Sequence, residues 1–129
     1  MTGIERILLI DDSEADNVFH EIIIKAAGFA GELLVFDGGV KALDYLQTAD
    51  LERPTRVFLD INMPGMDGFE VARRATPLLQ GKPAVVLLML TSSASPQDRE
   101  RAAAISIIQG YLTKPLTVDG VRELLAAPV

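Results

Sequence analysis

The sequence predicts an α/β fold with a doubly wound, five-stranded parallel sheet in the order 2-1-3-4-5 and five helices. Short apolar runs alternate with longer amphipathic segments five times within 129 residues. The runs are continuously apolar, which is typical of strands covered on both faces. No repeat, low-complexity stretch or linker interrupts the series. Right-handed βα units of this length favour a doubly wound sheet with a site at the carboxyl ends of strands one and three.

Each predicted strand is a short run of aliphatic and aromatic residues. The five runs are residues 7–10, 33–36, 57–59, 85–90 and 110–112, of which the last is the weakest. Each is followed by a helix-start signal, in most cases a Ser or Asp at the N-cap with an acidic residue three positions later. The predicted starts are Ser13 with Asp16, Asp37, Asp67 with Glu70, Ser95 with Pro96 and Asp98, and Thr117.

Two helices carry further expectations. The first has Val18, Ile22 and Ile23 as apolar positions, and His20 has no partner nearby in sequence, so it is expected to be solvated or partly packed. In the third, Pro77 should end or kink the helix near the preceding residue and leave residues 78–82 as a turn.

Composition excludes several functional classes. With 49% hydrophobic and 23% charged residues, the chain is expected to be one soluble domain spanning residues 1–129. Its longest apolar run is far shorter than the ~20 residues that span a bilayer, and its first residues lack signal-peptide order, so a cytoplasmic location is expected. The absence of cysteine excludes disulfides and Cys-ligated zinc. A net charge of -6 argues against nucleic-acid binding.

Polar residues stand at the ends of the predicted strands. Asp11 and Asp12 follow strand one, Asp60 ends strand three, Thr91 ends strand four and Lys114 follows strand five. The carboxyl ends of parallel strands share one edge of a sheet, so these side chains should surround one crevice. Any one of them alone could equally be a cap or turn residue.

Three carboxylates in one crevice repel one another, and a hard divalent cation relieves that repulsion. Oxygen ligands without His or Cys favour Mg²⁺, usually together with a phosphate oxygen. Asp60 is then the candidate nucleophile, because carboxylates form acyl phosphates, with Asp11 and Asp12 holding the metal. Lys114 and Thr91 would stabilise the phosphoryl group.

Four segments together resemble the receiver domain of two-component response regulators: LLIDDSEAD, VFLDINMPGMDGFE, LMLTSS and GYLTKPL. The resemblance covers nearly the whole chain and implies a flavodoxin-like fold. It implies that Asp60 is the phospho-acceptor. It also implies that Asp12, Asp60 and the main-chain carbonyl of Asn62 bind Mg²⁺ directly, whereas Asp11 acts through water.

The same resemblance implies a switch. Lys114 would pair with the phosphoryl group, Thr91 would hydrogen-bond it, and Tyr111 matches the aromatic switch position. The Lys114–Pro115 bond is usually cis in the family. Phosphorylation would change the face formed by helix four, strand five and helix five.

The resemblance also implies partners. The donor would be a phosphohistidine on a sensor histidine kinase or a histidine phosphotransfer protein. With no output domain expected after Val129, the receiver would act on an unknown downstream protein or through a phosphorylation-linked homodimer, without nucleic acid or membrane. It would catalyse its own phosphorylation and dephosphorylation without being a turnover enzyme in the usual sense. The DDSEAD and LTSS segments are similar to small receivers paired with phytochrome-like kinases.

One departure and two alternatives accompany this interpretation. Residues 105–109 lack the Gly or Asn that often ends helix four in receivers, and a left-handed cap at Ile105 would be costly, so an unusual helix end is expected. A degenerate receiver used only for docking remains open. An aspartate-nucleophile phosphatase is disfavoured, because Asn62 stands where its acid/base Asp should be.

Overall fold

The five predicted strands form one parallel sheet. The computed structural model describes residues 3–92 and 95–126. Its strands are β1 (Arg6–Ile10), β2 (Glu32–Phe36), β3 (Thr55–Asp60), β4 (Val85–Thr91) and β5 (Ile108–Thr113). They pair in the order β2-β1-β3-β4-β5, so the predicted order is confirmed. Every residue of the central strands β1 and β3 is buried. This includes the apolar runs 7–10 and 57–59, as predicted, and also the polar residues Arg6, Thr55, Arg56 and Asp60.

Five helices in the described part of the chain cover the two faces of this sheet. They are α1 (Glu14–Ala26), α2 (Gly39–Thr48), α3 (Gly68–Leu79), α4 (Pro96–Ala103) and α5 (Val118–Ala126). α1 and α5 pack over the face that carries Ile7, Leu9 and Phe58. α2, α3 and α4 pack over the opposite face, which carries Leu8 and Val57. No described helix is long and apolar enough to cross a membrane.

The predicted N-caps are present at four helices. The capping side-chain oxygens accept the main-chain N–H groups of residues three positions later, in the pairs Ser13–Asp16, Asp67–Glu70, Ser95–Asp98 and Thr117–Gly120. α2 differs, because its N-cap is Gly38 and no side chain among the described residues caps it. Asp37 instead forms an exposed ion pair with Lys41 at 3.4 Å.

The prediction for the end of α3 is wrong. The helix continues past Pro77 to Leu79, and the turn begins only at Gln80. Pro77 is exposed on the helix surface, whereas Leu79 is 5% exposed and packs into the core. Burial of Leu79 favours a further helical turn despite the hydrogen bond that the proline cannot donate.

The expectation for His20 is also wrong, because this side chain is buried. His20 is 2% exposed, and Asn17 and Ile24 are the other buried residues of α1. Val18 and Ile22 are 52% and 59% exposed instead. His20 Nε2 has no hydrogen-bond partner within the described residues. Burial and the positive charge of Lys114 lower the pKa of His20, so the ring is neutral at neutral pH.

Replacing His20 with phenylalanine is expected to raise the free energy of unfolding by about 1 kcal/mol at pH 8, because the unpaired buried Nε2 is removed. Since the folded-state pKa of His20 is lowered, the wild type loses stability as pH falls through the unfolded value of 6.5. The difference between the two proteins should therefore widen at pH 5, as chemical denaturation at both pH values would measure. A variant no more stable than wild type at pH 5 would contradict this account.

α4 is the shortest helix within the described residues, and it buries one small side chain. Ala102 is the one buried residue among its eight. The C-cap residue after the helix, Ala104, is in a right-handed conformation with φ of -77°, which confirms that the usual left-handed cap is absent. Ile105 and Ile107 follow at once and pack against the core, so the apolar side chains here anchor the segment after the helix.

Candidate functional site

The residues predicted at the strand ends surround one crevice at the carboxyl edge of the sheet. Lys114 Nζ lies 2.6 Å from Asp11 Oδ2 and 3.2 Å from Asp60 Oδ1. Carboxylate oxygens of Asp11, Asp12 and Asp60 lie within 4.8 Å of one another. Asp11 and Asp60 are buried and Asp12 is exposed, so the acidic cluster opens to solvent on one side.

The turn after β1 holds Asp11 in place. Asp11 Oδ1 accepts a 2.9 Å hydrogen bond from the main-chain N–H of Ser13. Its carbonyl oxygen accepts a 2.8 Å bond from the side-chain amide of Asn17, which is 6% exposed. Asn17 was not predicted from the sequence, since an Asn on an amphipathic helix resembles any exposed polar residue.

The turn after Asp60 depends on a glycine. The main-chain N–H of Gly68 donates a 2.8 Å hydrogen bond to the carbonyl of Ile61. A Cβ atom at position 68 would collide with the main-chain carbonyl oxygen of Asp60. Gly65, with φ of +78°, makes the preceding reversal. α3 therefore begins directly against the backbone of the candidate nucleophile.

Burial and charge shift the ionisation of both central groups. Burial, and then the negative charge of Asp11, raise the pKa of Asp60 to about 6, although Lys114 partly offsets this. Burial alone would lower the pKa of Lys114, but hydrogen bonds to Asp11 and Asp16 outweigh burial and raise it. The ammonium is therefore charged at neutral pH, and the crevice carries excess negative charge.

A further carboxylate, Asp16, also contacts the lysine. Its Oδ2 lies 2.8 Å from Lys114 Nζ. The sequence indicated only that Asp16 belongs to the start of α1, and the contact joins residues 98 positions apart. The position of Asp16 in the sequence could have indicated this contact only if α1 had been known to lie beside the crevice.

The remaining predicted residues lie in β4, in β5 and in the loop after β3. Thr91, at the end of β4, is fully buried, and its carbonyl accepts a 2.7 Å hydrogen bond from the N–H of Lys114. Tyr111 in β5 is half-buried, and the guanidinium of Arg99 lies 5.9 Å from its ring centroid. Asn62 is exposed in the loop after β3. The Lys114–Pro115 peptide bond is cis, as the resemblance implied.

Comparison with known proteins agrees with this geometry. Residues 7–126 match the family described as "Response regulator receiver domain". The chain is 32% identical over 122 residues to the probable methanogenesis regulatory protein FilR2 of Methanothrix harundinacea, covering 91% of this chain and 76% of that protein. It is 32% identical over 114 residues to response regulator Rcp1 of Synechocystis, covering 84% and 75%.

Solved structures agree as well. A response regulator receiver protein from Dyadobacter fermentans superposes with a TM-score of 0.84 at 28% identity, covering 94% of each chain. The family match spans most of the chain and includes all of the clustered residues. The chain belongs to the response regulator receiver domain family.

Proposed function

We propose that this receiver is a Mg²⁺-dependent phosphorylation switch whose phospho-acceptor is Asp60. The observation that carries the proposal is the position of this carboxylate. It ends the buried strand β3, lies 3.2 Å from the Lys114 ammonium, and belongs to a group of three clustered carboxylates. A strand end surrounded by buried neighbours holds a nucleophile rigidly, which favours in-line attack.

The donor is a phosphohistidine on a sensor histidine kinase or a histidine phosphotransfer protein, as the family resemblance implies. A carboxylate oxygen of Asp60 forms a bond to phosphorus while the phosphorus–nitrogen bond breaks, and the electron pair remains on the imidazole. The product is an acyl phosphate on Asp60. The raised pKa of about 6 leaves the carboxylate mostly ionised at pH 7 and above.

The acidic cluster suits a hard cation. Oxygen atoms of Asp11, Asp12 and Asp60 lie close enough to share one ion. Burial first, and then repulsion from Asp11 and Asp12, raise the pKa of Asp60. These residues, with the main-chain carbonyl of Asn62, would hold Mg²⁺. When bound, the ion neutralises charge that builds up on the phosphoryl oxygens.

Lys114 and Thr91 stabilise the phosphoryl group in this proposal. The ammonium already lies within ion-pair distance of Asp60, so a phosphoryl group there is within its reach. Thr91 is the last residue of the neighbouring strand β4. It directly follows Leu90, which pairs with Asp60 in the sheet. A hydroxyl and an ammonium on two sides of the phosphoryl group supply charge-assisted hydrogen bonds worth about 1.5–3 kcal/mol each.

Signalling follows from movement at β5. Tyr111 lies opposite Met89 in the sheet, two positions before the residue paired with Thr91. When Thr91 turns toward the phosphoryl group, Tyr111 moves inward and leaves Arg99 on α4. The face formed by α4, β5 and α5 changes, and a downstream protein or a second receiver reads the change.

The kinase or phosphotransfer protein is expected to dock beside Asp12. A cavity of about 440 Å³ there is lined by residues that include Asp12, Val18 and Val35. Phe19 and Ile22 continue the exposed apolar surface along α1. Clustered exposed apolar side chains next to a reactive crevice mark a protein contact.

Incubation with acetyl phosphate and Mg²⁺ tests the proposal. Intact-mass spectrometry is expected to show one added phosphoryl group, and none with Asp60→Asn or with chelator. An unchanged wild-type mass would exclude the switch and favour a receiver used only for docking. Steady hydrolysis of a generic phosphomonoester by the wild type would instead favour the phosphatase.

A further inference from the structure

The Lys114 ammonium is surrounded by as many carboxylates as it has N–H donors. Asp11, Asp16 and Asp60 lie 2.6, 2.8 and 3.2 Å from its nitrogen. An ammonium has three N–H groups, of which two donate hydrogen bonds to Asp11 and Asp16, while Asp60 lies within ion-pair distance. One N–H is thus left for a phosphoryl group on Asp60, and Lys114 can donate a second hydrogen bond to the phosphoryl oxygens only by giving up Asp11 or Asp16.

The three carboxylates differ in what their release would cost. The side chains of Asp11 and Asp60 are 5% and 8% exposed, and both belong to the acidic cluster. Asp16 lies outside that cluster, and its side chain is 43% exposed. A half-exposed carboxylate regains water when it leaves its partner, whereas a buried one does not. Asp16 is therefore the contact that Lys114 gives up at least cost.

The Asp16 carboxylate contacts Lys114 and takes no part in capping α1. Ser13 Oγ accepts the main-chain N–H of Asp16, which fixes the first turn independently of the Asp16 carboxylate. The carboxylate is thus available for a residue distant in sequence. Its replacement should leave the cap, and with it the helix, in place.

We propose that Asp16 is a positioning residue that holds Lys114 in the unphosphorylated protein and competes with the phosphoryl group for it. This inference rests on the proposed function, since it concerns the same phosphoryl site. In the phosphorylated protein Lys114 turns from Asp16 to the phosphoryl oxygens, and Asp16 returns to water. Asp16 thereby lowers the affinity of the site for a phosphoryl group.

The affinity for beryllofluoride in the presence of Mg²⁺ tests this competition, because beryllofluoride mimics a phosphoryl group. Asp16→Asn removes the charge and keeps the shape of the side chain. Its dissociation constant for beryllofluoride is expected to fall about fivefold, the upper end for a half-exposed ion pair. Glu14→Gln is the matched control, since it removes one exposed negative charge from the same turn of α1 and should leave the constant within about twofold of wild type.

A dissociation constant that is unchanged or higher in Asp16→Asn would overturn the proposal. A fall of equal size in Glu14→Gln would also overturn it, because net charge alone would then explain the effect. The ammonium signal of Lys114 in ¹⁵N NMR supplies a second readout. Its protons should exchange with water faster in Asp16→Asn than in Glu14→Gln, and equal exchange in the two variants would contradict the holding role.

Different results would refute the phosphoryl site at Asp60 and the role of Asp16. If wild type and both variants do not bind beryllofluoride, the proposed phosphoryl site is wrong, while the ammonium exchange still decides whether Asp16 holds Lys114. If wild type binds beryllofluoride and Asp16→Asn behaves like Glu14→Gln, the phosphoryl site stands and the role of Asp16 is refuted.

Discussion

Replacing Asp60 with asparagine is expected to raise the free energy of unfolding by about 2–3 kcal/mol at pH 8 without divalent cations. Burial and the charge of Asp11 raise the folded-state pKa of Asp60 from 3.8 to about 6. A charged Asp60 therefore destabilises the folded protein, and the neutral amide does not.

The gain in the free energy of unfolding of Asp60→Asn should be smaller at low pH. Because the folded-state pKa is raised, Asp60 in the folded wild type takes up a proton as pH falls from 7 toward 4. The destabilisation caused by the buried charge is lost over this pH range. Urea denaturation of both proteins at pH 8 and pH 4.5 would measure this. Asp44→Asn, at an exposed position of α2, is the control and should change stability by less than about 0.5 kcal/mol. An equal gain for Asp60→Asn at both pH values would refute the electrostatic origin.

Replacing Lys114 with methionine should have the opposite effect and lower the free energy of unfolding by about 3 kcal/mol at pH 8 with chelator present. The Lys114 side chain is 12% exposed and neutralises two buried carboxylates, Asp11 and Asp60. Methionine fills similar space but removes the ammonium that contacts both carboxylates. Phosphorylation by acetyl phosphate should also become much slower, because the phosphoryl group loses its ammonium partner.

Two comparisons make the Lys114→Met experiment specific. Lys25→Met removes a lysine whose side chain is 63% exposed and paired with Glu21, and it should cost less than about 1 kcal/mol. Millimolar Mg²⁺ should restore part of the stability lost in Lys114→Met, since the ion binds only the folded carboxylate cluster. Equal losses in the two variants would show that Lys114 does not neutralise the site.

The sheet and its reactive edge were predictable because both follow from local patterns. Continuous apolar runs predicted the buried strands, and the polar residues at the ends of strands one, three and five predicted which side chains would meet. Asp11, Asp12 and Asp60 lie together as expected, and Lys114 reaches two of them. In a parallel sheet the carboxyl ends of the strands lie at one edge, so these neighbours could be predicted without knowing how the helices pack.

The missed features depend on packing between distant segments. The apolar residues of α1 are compatible with more than one buried face, and contact with the sheet buried Asn17 and His20 while exposing Ile22. Pro77 did not end α3 because the core accepts Leu79 beyond it. The contact between Asp16 and Lys114 joins two elements whose spacing no local pattern encodes.

The slight burial of α4 has a consequence for how this receiver can diverge from its relatives. Seven of its eight positions lie outside the buried core, which receives Ala102 alone. Substitutions at such positions usually change stability by less than about 0.5 kcal/mol. Mutations can therefore accumulate along α4 under selection for a new partner while the fold and the phosphoryl site persist. The surface of α4 can thus change with little effect on stability, whereas the buried carboxylates of the crevice cannot.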